Sequence, residues 1–125
     1  MTTAGWLGPL GAARVFTVSF DAALGFYRDR LGLALDVSQP DVAIFDTGGC
    51  RLILEGIDPD SSEDRSLVGR FAGLSFTVED LAASYRTLSQ AGVAFLGPPV
   101  TQDWGGQLAH FKDPDGNILS LVQYP

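Results

Sequence analysis

An internal repeat is the feature that most limits how this chain can fold. Three short motifs recur in the same order: Phe16-Thr17-Val18 as Phe76-Thr77-Val78, Tyr27-Arg28 as Tyr85-Arg86, and Gly32 as Gly92. A repeat with a period near half of the chain predicts two copies of one supersecondary unit.

Each copy has the pattern of a βαβββ unit. In the first copy, alternation predicts a strand over 13–19, a helix from Asp21 as its N-cap to about Leu31, and strands over 34–38, 42–46 and 51–55. In the second copy we expect a strand over 73–78, a helix capped by Asp80 that ends near Gln90, and strands near 93–96, 107–112 and 117–124.

The predicted fold class is therefore α+β. Two tandem βαβββ modules, about 12–56 and 69–124, are expected to form a curved mixed sheet with a concave ligand cavity and with helices on the outer face. The polar, acidic stretch 57–68 is predicted to link them across the surface. We take residues 1–125 as a single domain, since this length with 46% hydrophobic residues can bury a real core.

Charge and cysteine content narrow the function classes. A formal charge of −7 without any basic run argues against nucleic acid as a partner. The single cysteine, Cys50, rules out an intrachain disulfide and a thiolate zinc cluster. The segment 1–11 has neither a basic residue nor a long apolar stretch, so we expect no signal peptide, no membrane association and a cytoplasmic location.

The turn Asp113-Pro114-Asp115-Gly116-Asn117 predicts a hairpin and its register. Pro114 presets φ at the start of the turn, and Gly116 supplies a left-handed residue. His110 is then opposite Ser120. The face that carries Leu108, His110, Ser120 and Val122 is mixed and could line a cavity, whereas Phe111, Leu119 and Leu121 share an apolar face.

The doubled βαβββ pattern, the segment Phe26-Tyr27…Leu31-Gly32-Leu33 and the 113–117 turn together resemble the vicinal oxygen chelate superfamily. That group includes glyoxalase I, extradiol dioxygenases, fosfomycin resistance enzymes and bleomycin resistance proteins. The resemblance covers about residues 12–124. It implies the fold and a homodimer, with modules either side by side or exchanged between chains.

In metal enzymes of that superfamily the ligands project from the first and last strands of each module into the concave face. The matching positions here are Ala13, Ile53, Gly73 and Ser120, which offer a methyl, a butyl, a hydrogen and a neutral hydroxyl. Divalent metals require imidazole, carboxylate or thiolate donors. The chain thus resembles the metal-independent members, and we predict no metal, no cofactor and no catalytic residue.

The candidate ligand-binding residues come from the same positions and from strand alternation. We expect Trp104 to stack on the ligand, Glu55 to neutralise a cationic group, His110 and Ser120 to supply hydrogen bonds, Arg51 to set orientation and Ile53 to line the cavity. Alternation adds an apolar lining with a few polar anchors: Val15, Thr17, Ile44, Ser75, Thr77, Leu108 and Val122.

These observations favour metal-independent binding or sequestration of a small organic ligand, cationic or aromatic, as in bleomycin resistance proteins. The leading alternative is a metal-dependent enzyme of glyoxalase or dioxygenase type, with an atypical site built on Glu55 and His110 and completed by a second subunit. A third alternative is an interaction module whose vestigial cavity is filled by its own side chains. The partners predicted are the ligand and a second copy of the chain.

Overall fold

A computed structural model describes residues 5–125 and shows the first module as five elements. They are β1 (Ala12–Thr17), α1 (Phe20–Gly25) with a π-helical continuation (Phe26–Arg30), β2 (Ala34–Gln39), β3 (Val42–Asp46) and β4 (Arg51–Gly56). The stretch predicted as a linker contains a short helix, α2 (Ser62–Arg65). Ser61 caps it by accepting a hydrogen bond from the Asp64 N–H at 3.2 Å.

The second module repeats the order with one additional strand. Its elements are β5 (Phe71–Thr77), α3 (Leu81–Gln90), β6 (Ala94–Phe95), β7 (Val100–Thr101), β8 (Gln107–Lys112) and β9 (Ile118–Gln123). The strand β7, which the sequence analysis did not predict, is antiparallel to β8, with Val100 opposite Leu108. None of the helices in the described part of the chain is both long and apolar enough to cross a membrane.

The strands form two mixed sheets. The first has the order β1-β4-β3-β2, and the second has the order β5-β9-β8-β6 with β7 also paired to β8. The β1–β4 and β5–β9 pairs are parallel, and the remaining pairs are antiparallel. The predicted α+β class with curved mixed sheets is confirmed, although within 5–125 no strand pair joins the two sheets to each other.

The core lies between one face of each sheet and the helices. Tyr27, on the π-helical continuation of α1, packs 6.2 Å from the ring of Phe45 in the first sheet. The neighbouring Phe26 packs 6.4 Å from Phe111 in the second sheet. All four rings are almost fully buried in one hydrophobic cluster. The helix side of both sheets is therefore shared, and no helix within residues 5–125 packs on the other face of either sheet.

We call these other surfaces the first and second helix-free faces. Strand register assigns to the first face Arg14, Phe16, Ile44, Arg51, Ile53 and Glu55. It assigns to the second face Phe71, Ser75, Thr77, Leu108, His110, Ser120 and Val122.

The prediction that Asp21 caps the first helix is wrong. The N-cap is Ser19, whose carbonyl accepts the first helical hydrogen bond, from Ala23 N–H at 3.0 Å. The helix begins early because the Thr17 hydroxyl accepts the Ser19 N–H at 3.0 Å and ends the strand there. Asp21 lies in the first turn, where its charge complements the helix dipole. The prediction for Asp80 is confirmed, since its carboxylate accepts the Ala83 N–H at 3.1 Å.

The predicted facing of β1 is also wrong. Ala13 and Val15 pair with Leu52 and Leu54 on the helix side, and Thr17 is fully buried, so none of the three lines a helix-free face. The repeated Phe-Thr-Val motif has opposite facing in the two sheets, as if it were shifted by one residue. Phe16 is opposite Glu55, whereas Phe76 is opposite Leu121 on the helix side. A one-residue slip exchanges the faces of a strand, because side chains alternate with a period of two.

Candidate functional site

The second helix-free face presents a hydrogen-bonded pair next to an aromatic ring. His110 on β8 and Ser120 on β9 are directly opposite, as predicted, with Nδ1 and Oγ 2.5 Å apart. The ring of Phe71 meets the imidazole edge-on, with centroids 6.0 Å apart. Ser120 is buried, Phe71 is largely exposed, and His110 is intermediate. The pair can donate and accept hydrogen bonds at the edge of an apolar surface.

Trp104 lies at one end of this face, on the loop between β7 and β8. The loop is closed by hydrogen bonds from Gln102 N–H to Gly106 O at 2.8 Å and from Gly105 N–H to Gln102 O at 2.9 Å. The indole covers Gly106 so closely that a Cβ there would be 1.9 Å from a ring carbon. Tyr124 packs against it at 5.8 Å. The half-exposed ring is therefore held by its neighbours while one surface remains accessible.

The first helix-free face carries two ion pairs. Glu55 Oε1 is 3.6 Å from Arg14 Nε, and Asp36 Oδ2 is 3.4 Å from an Arg51 terminal nitrogen. Ile53 separates the two pairs along β4. Sequence reasoning missed Arg14 because it assigned the alternate residues of β1 to this face. The signal available in the sequence was Arg14 itself, a charge flanked by apolar residues that must face away from the core.

The six predicted ligand-binding residues fall into two groups on different sheets. Arg51, Ile53 and Glu55 are on the first helix-free face, and His110 and Ser120 are on the second, with Trp104 at its end. Because the sheets share their helix sides, these two groups do not form one cluster inside a chain, although Arg51 and Ser75 line one cleft where β1 approaches β5.

Two of the four positions matched to metal ligands do meet. Ala13 and Gly73 line a cleft of about 280 Å³ where β1 approaches β5, together with Leu10, Cys50 and Phe76. Neither offers a donor atom in its side chain. Within residues 5–125 no group of three or more His, Cys, Asp or Glu residues is placed to hold a metal ion. The side chains present therefore do not fit a divalent metal.

The 113–117 turn has a structural role that joins the modules. Asn117 donates from Nδ2 to Phe16 O and to Asp113 Oδ2, both at 2.9 Å, while Asp115 Oδ1 accepts the Val18 N–H at 2.9 Å. Tyr27 donates its O–H to Asp113 Oδ2 at 2.6 Å. Burial raises the pKa of Asp113, against the opposing effect of these hydrogen bonds, and burial together with Asp113 raises the pKa of Tyr27.

Two βαβββ modules with helix-free sheet faces define a scaffold that known proteins share. Residues 9–121 match the Glyoxalase/Bleomycin resistance protein/Dioxygenase superfamily. The chain therefore belongs to this superfamily.

Individual relatives agree in length and fold. The chain is 30% identical to the Bacillus subtilis protein YraH over 120 residues, which cover 88% of this chain and 94% of YraH. It is 30% identical to a bleomycin resistance protein of Klebsiella pneumoniae over 116 residues, or 83% of each chain. A solved structure of a superfamily member from Sphaerobacter thermophilus superimposes with a TM-score of 0.79 at 27% identity, covering 94% of this chain and 98% of that one.

Proposed function

We propose that this protein binds a small organic ligand with an aromatic or cationic group, without a metal ion and without breaking a bond. The observation that carries the proposal is the second helix-free face, where the His110–Ser120 pair lies among apolar side chains and Trp104 presents an accessible ring. A mostly apolar surface with a few polar anchors is typical of small-molecule sites. The similarity to the Klebsiella pneumoniae bleomycin resistance protein supports sequestration as the biological role.

The complete site is proposed to form between two protomers of a homodimer. Large apolar side chains of the second module, including Phe71, Leu96 and Val100, are exposed in the single chain. Apolar patches of this kind mark interaction surfaces. If the first helix-free face of one protomer covers the second face of its partner, Glu55 and Arg51 join His110, Ser120 and Trp104 around one cavity.

Fluorescence titration of Trp104 tests ligand binding. In a Trp6→Phe background Trp104 is the only indole, so a panel of cationic, anionic and neutral aromatic compounds should include members that quench it saturably. The additional change His110→Ala should weaken the binding of those members, since it removes a hydrogen-bonding group. A panel that gives no saturable response, in protein whose circular dichroism is native, overturns the proposal.

Subunit complementation tests where the site lies. Ile53→Trp obstructs the first helix-free face, and Ser120→Trp obstructs the second. Each variant alone should bind no ligand. After the two are unfolded, mixed and refolded, random pairing in a two-fold dimer should restore about one quarter of the binding sites. A mixture that recovers no binding shows that the site does not combine faces from two chains.

Metal titration separates this proposal from the enzyme alternative. Zinc, nickel, manganese and ferrous iron are titrated calorimetrically into tag-free protein, alongside its His110→Ala variant. The proposal predicts no tight stoichiometric uptake. Uptake that is lost in His110→Ala would instead support the glyoxalase- or dioxygenase-type enzyme.

A further inference from the structure

Two acidic side chains of the first helix-free face, Glu55 and Asp36, already have cationic partners. The side chain of Glu55 is 32% exposed and that of Arg14, its partner at 3.6 Å, is 63% exposed. Asp36, at the irregular point of β2 between Leu35 and Val37, is 43% exposed, and its partner Arg51 is 55% exposed. In both pairs the arginine is the more exposed side chain. A ligand that approaches this face can therefore reach an arginine in each pair as well as its carboxylate partner.

The two guanidinium groups also have unused donors. Each arginine carries five N–H groups in a planar fork, and no hydrogen bond from the Arg14 or Arg51 side chain occurs within residues 5–125. Their ion-pair distances, 3.6 and 3.4 Å, are longer than a well-formed hydrogen bond. The forks are thus available to oxygen acceptors, and their geometry matches a carboxylate.

The second helix-free face does not offset this preference for a ligand with acidic oxygen atoms. Its strand-register members carry hydroxyl groups on Ser75, Thr77 and Ser120 and an imidazole on His110, but no carboxylate. The remaining side chains, Phe71, Leu108 and Val122, are apolar. A ligand that contacts both faces finds donors and aromatic rings, and the carboxylates of Glu55 and Asp36 already have counterions.

From these contacts we infer that the ligand is a planar aromatic molecule with a carboxylate or another acidic oxygen group, held by Arg14 and Arg51. The inference rests on the proposed binding function and deepens it. Glu55 then holds Arg14 in place and does not itself receive a cationic group. Arg14, which the sequence analysis did not single out, becomes a specificity-determining residue.

Three probes of nearly equal shape test the charge preference. They are 1-naphthoate, which is anionic, 1-naphthylmethylamine, which is cationic at neutral pH, and 1-naphthalenemethanol, which is neutral. Isothermal titration of the full-length protein should show 1-naphthoate binding at least tenfold more tightly than the other two, a difference of about 1.4 kcal/mol. Arg14→Gln with Arg51→Gln should remove most of this preference. Arg86→Gln, on an exposed position of α3, is the matched control and should retain it.

The outcomes distinguish a failure of the acidic-ligand inference from a failure of the proposed binding function. If the amine binds best and the arginine substitutions leave its affinity unchanged, the inference is overturned while the binding function stands. If none of the three probes binds and the Trp104 titration is also silent, both are overturned. Thermal unfolding of each variant shows whether lost affinity reflects lost folding, and the single Arg51→Gln variant repeats the test if the double variant does not fold.

Discussion

Tyr27 and Asp113 form a buried hydrogen bond across the two modules, with the phenolic oxygen 2.6 Å from Oδ2 of the carboxylate. Tyr27 belongs to the first module and Asp113 to the last hairpin of the second. The same oxygen of Asp113 accepts a bond from Asn117 Nδ2, and its other oxygen accepts two backbone N–H groups, those of Asp115 and Asn117. The turn of this hairpin therefore joins the modules, while the strands that it connects carry His110 and Ser120 of the candidate ligand site.

Tyr27→Phe should reduce the free energy of unfolding by about 1–3 kcal/mol, because the change leaves a buried acceptor with one donor fewer. Urea unfolding followed by circular dichroism measures the loss. The control is Tyr85→Phe on α3, where the ring packs 4.7 Å from Phe95 and no hydrogen bond of the hydroxyl occurs within 5–125. Equal losses in the two variants would show that the Tyr27–Asp113 bond contributes nothing specific.

Asp113 should make stability fall as pH rises. Burial raises its pKa above the ordinary 3.8, so between the two values the native state holds a proton that the unfolded chain releases. The stabilisation from protonated Asp113 is therefore fully present below the unfolded pKa and is lost as pH rises through the native pKa. We expect the stability difference between wild type and Asp113→Asn, which cannot titrate, to shrink as pH rises above the ordinary pKa of 3.8.

Urea unfolding at several pH values measures this difference. Asp60→Asn, in the exposed turn before α2, controls for the loss of one negative charge. A difference that grows with pH would mean that hydrogen bonds to the ionised carboxylate outweigh its burial.

Asn117→Ala should destabilise the protein more than Tyr27→Phe does. The Asn117 side chain accepts the Gly69 N–H at 2.8 Å and donates to Phe16 O and Asp113, so its removal leaves groups unpaired in both modules. We expect a loss of roughly 2–4 kcal/mol, since a buried network is broken at several points. Ser61→Ala removes a single, partly buried cap and should cost only about 0.5–2 kcal/mol. If Asn117 serves only as a turn residue, Asn117→Ala will instead cost less than Tyr27→Phe.

Gly106→Ala should displace Trp104. The new Cβ would come within 1.9 and 2.2 Å of two indole carbons and within 2.7 Å of Gln123 O, so the ring or the strand must move. We expect a red-shifted Trp104 emission in the Trp6→Phe background and a loss of about 1–3 kcal/mol, the usual cost of overpacking. Gly97→Ala, where nothing lies within 4 Å of the added carbon, is the matched control. An unchanged emission spectrum in Gly106→Ala would contradict the described contact.

The hairpin register and most element bounds were predictable because each depends on local signals. Pro114 and Gly116 define a turn, and the turn fixes which residues of β8 and β9 are opposite. The facing of β1 was not predictable in this way. Phe16 precedes Gly32 by the same number of residues as Phe76 precedes Gly92. This equal spacing hides two changes in segment length that cancel each other. Phe16 is one residue closer to its N-cap, Ser19, than Phe76 is to Asp80.

The division of the site residues between two sheet faces could not be predicted from local signals either. Which faces share a core depends on how α1 and its continuation pack, through Phe26 and Tyr27, against both sheets. No motif in either copy specifies that long-range packing. The partnership of Glu55 with Arg14 was missed for the related reason that β1 was assigned the wrong facing.

The π-helical turn at Phe26–Arg30 contains the second of the two compensating changes, an extra residue in the helix of the first module. One residue more separates Ser19 from Gly32 than separates Asp80 from Gly92. An insertion inside a regular helix rotates everything after it by about 100°. Here the wide turn, closed by Leu31 N–H to Phe26 O at 3.0 Å, takes up the extra residue locally. The two halves can thus differ in helix length while the chain leaves each helix at a left-handed glycine, Gly32 or Gly92.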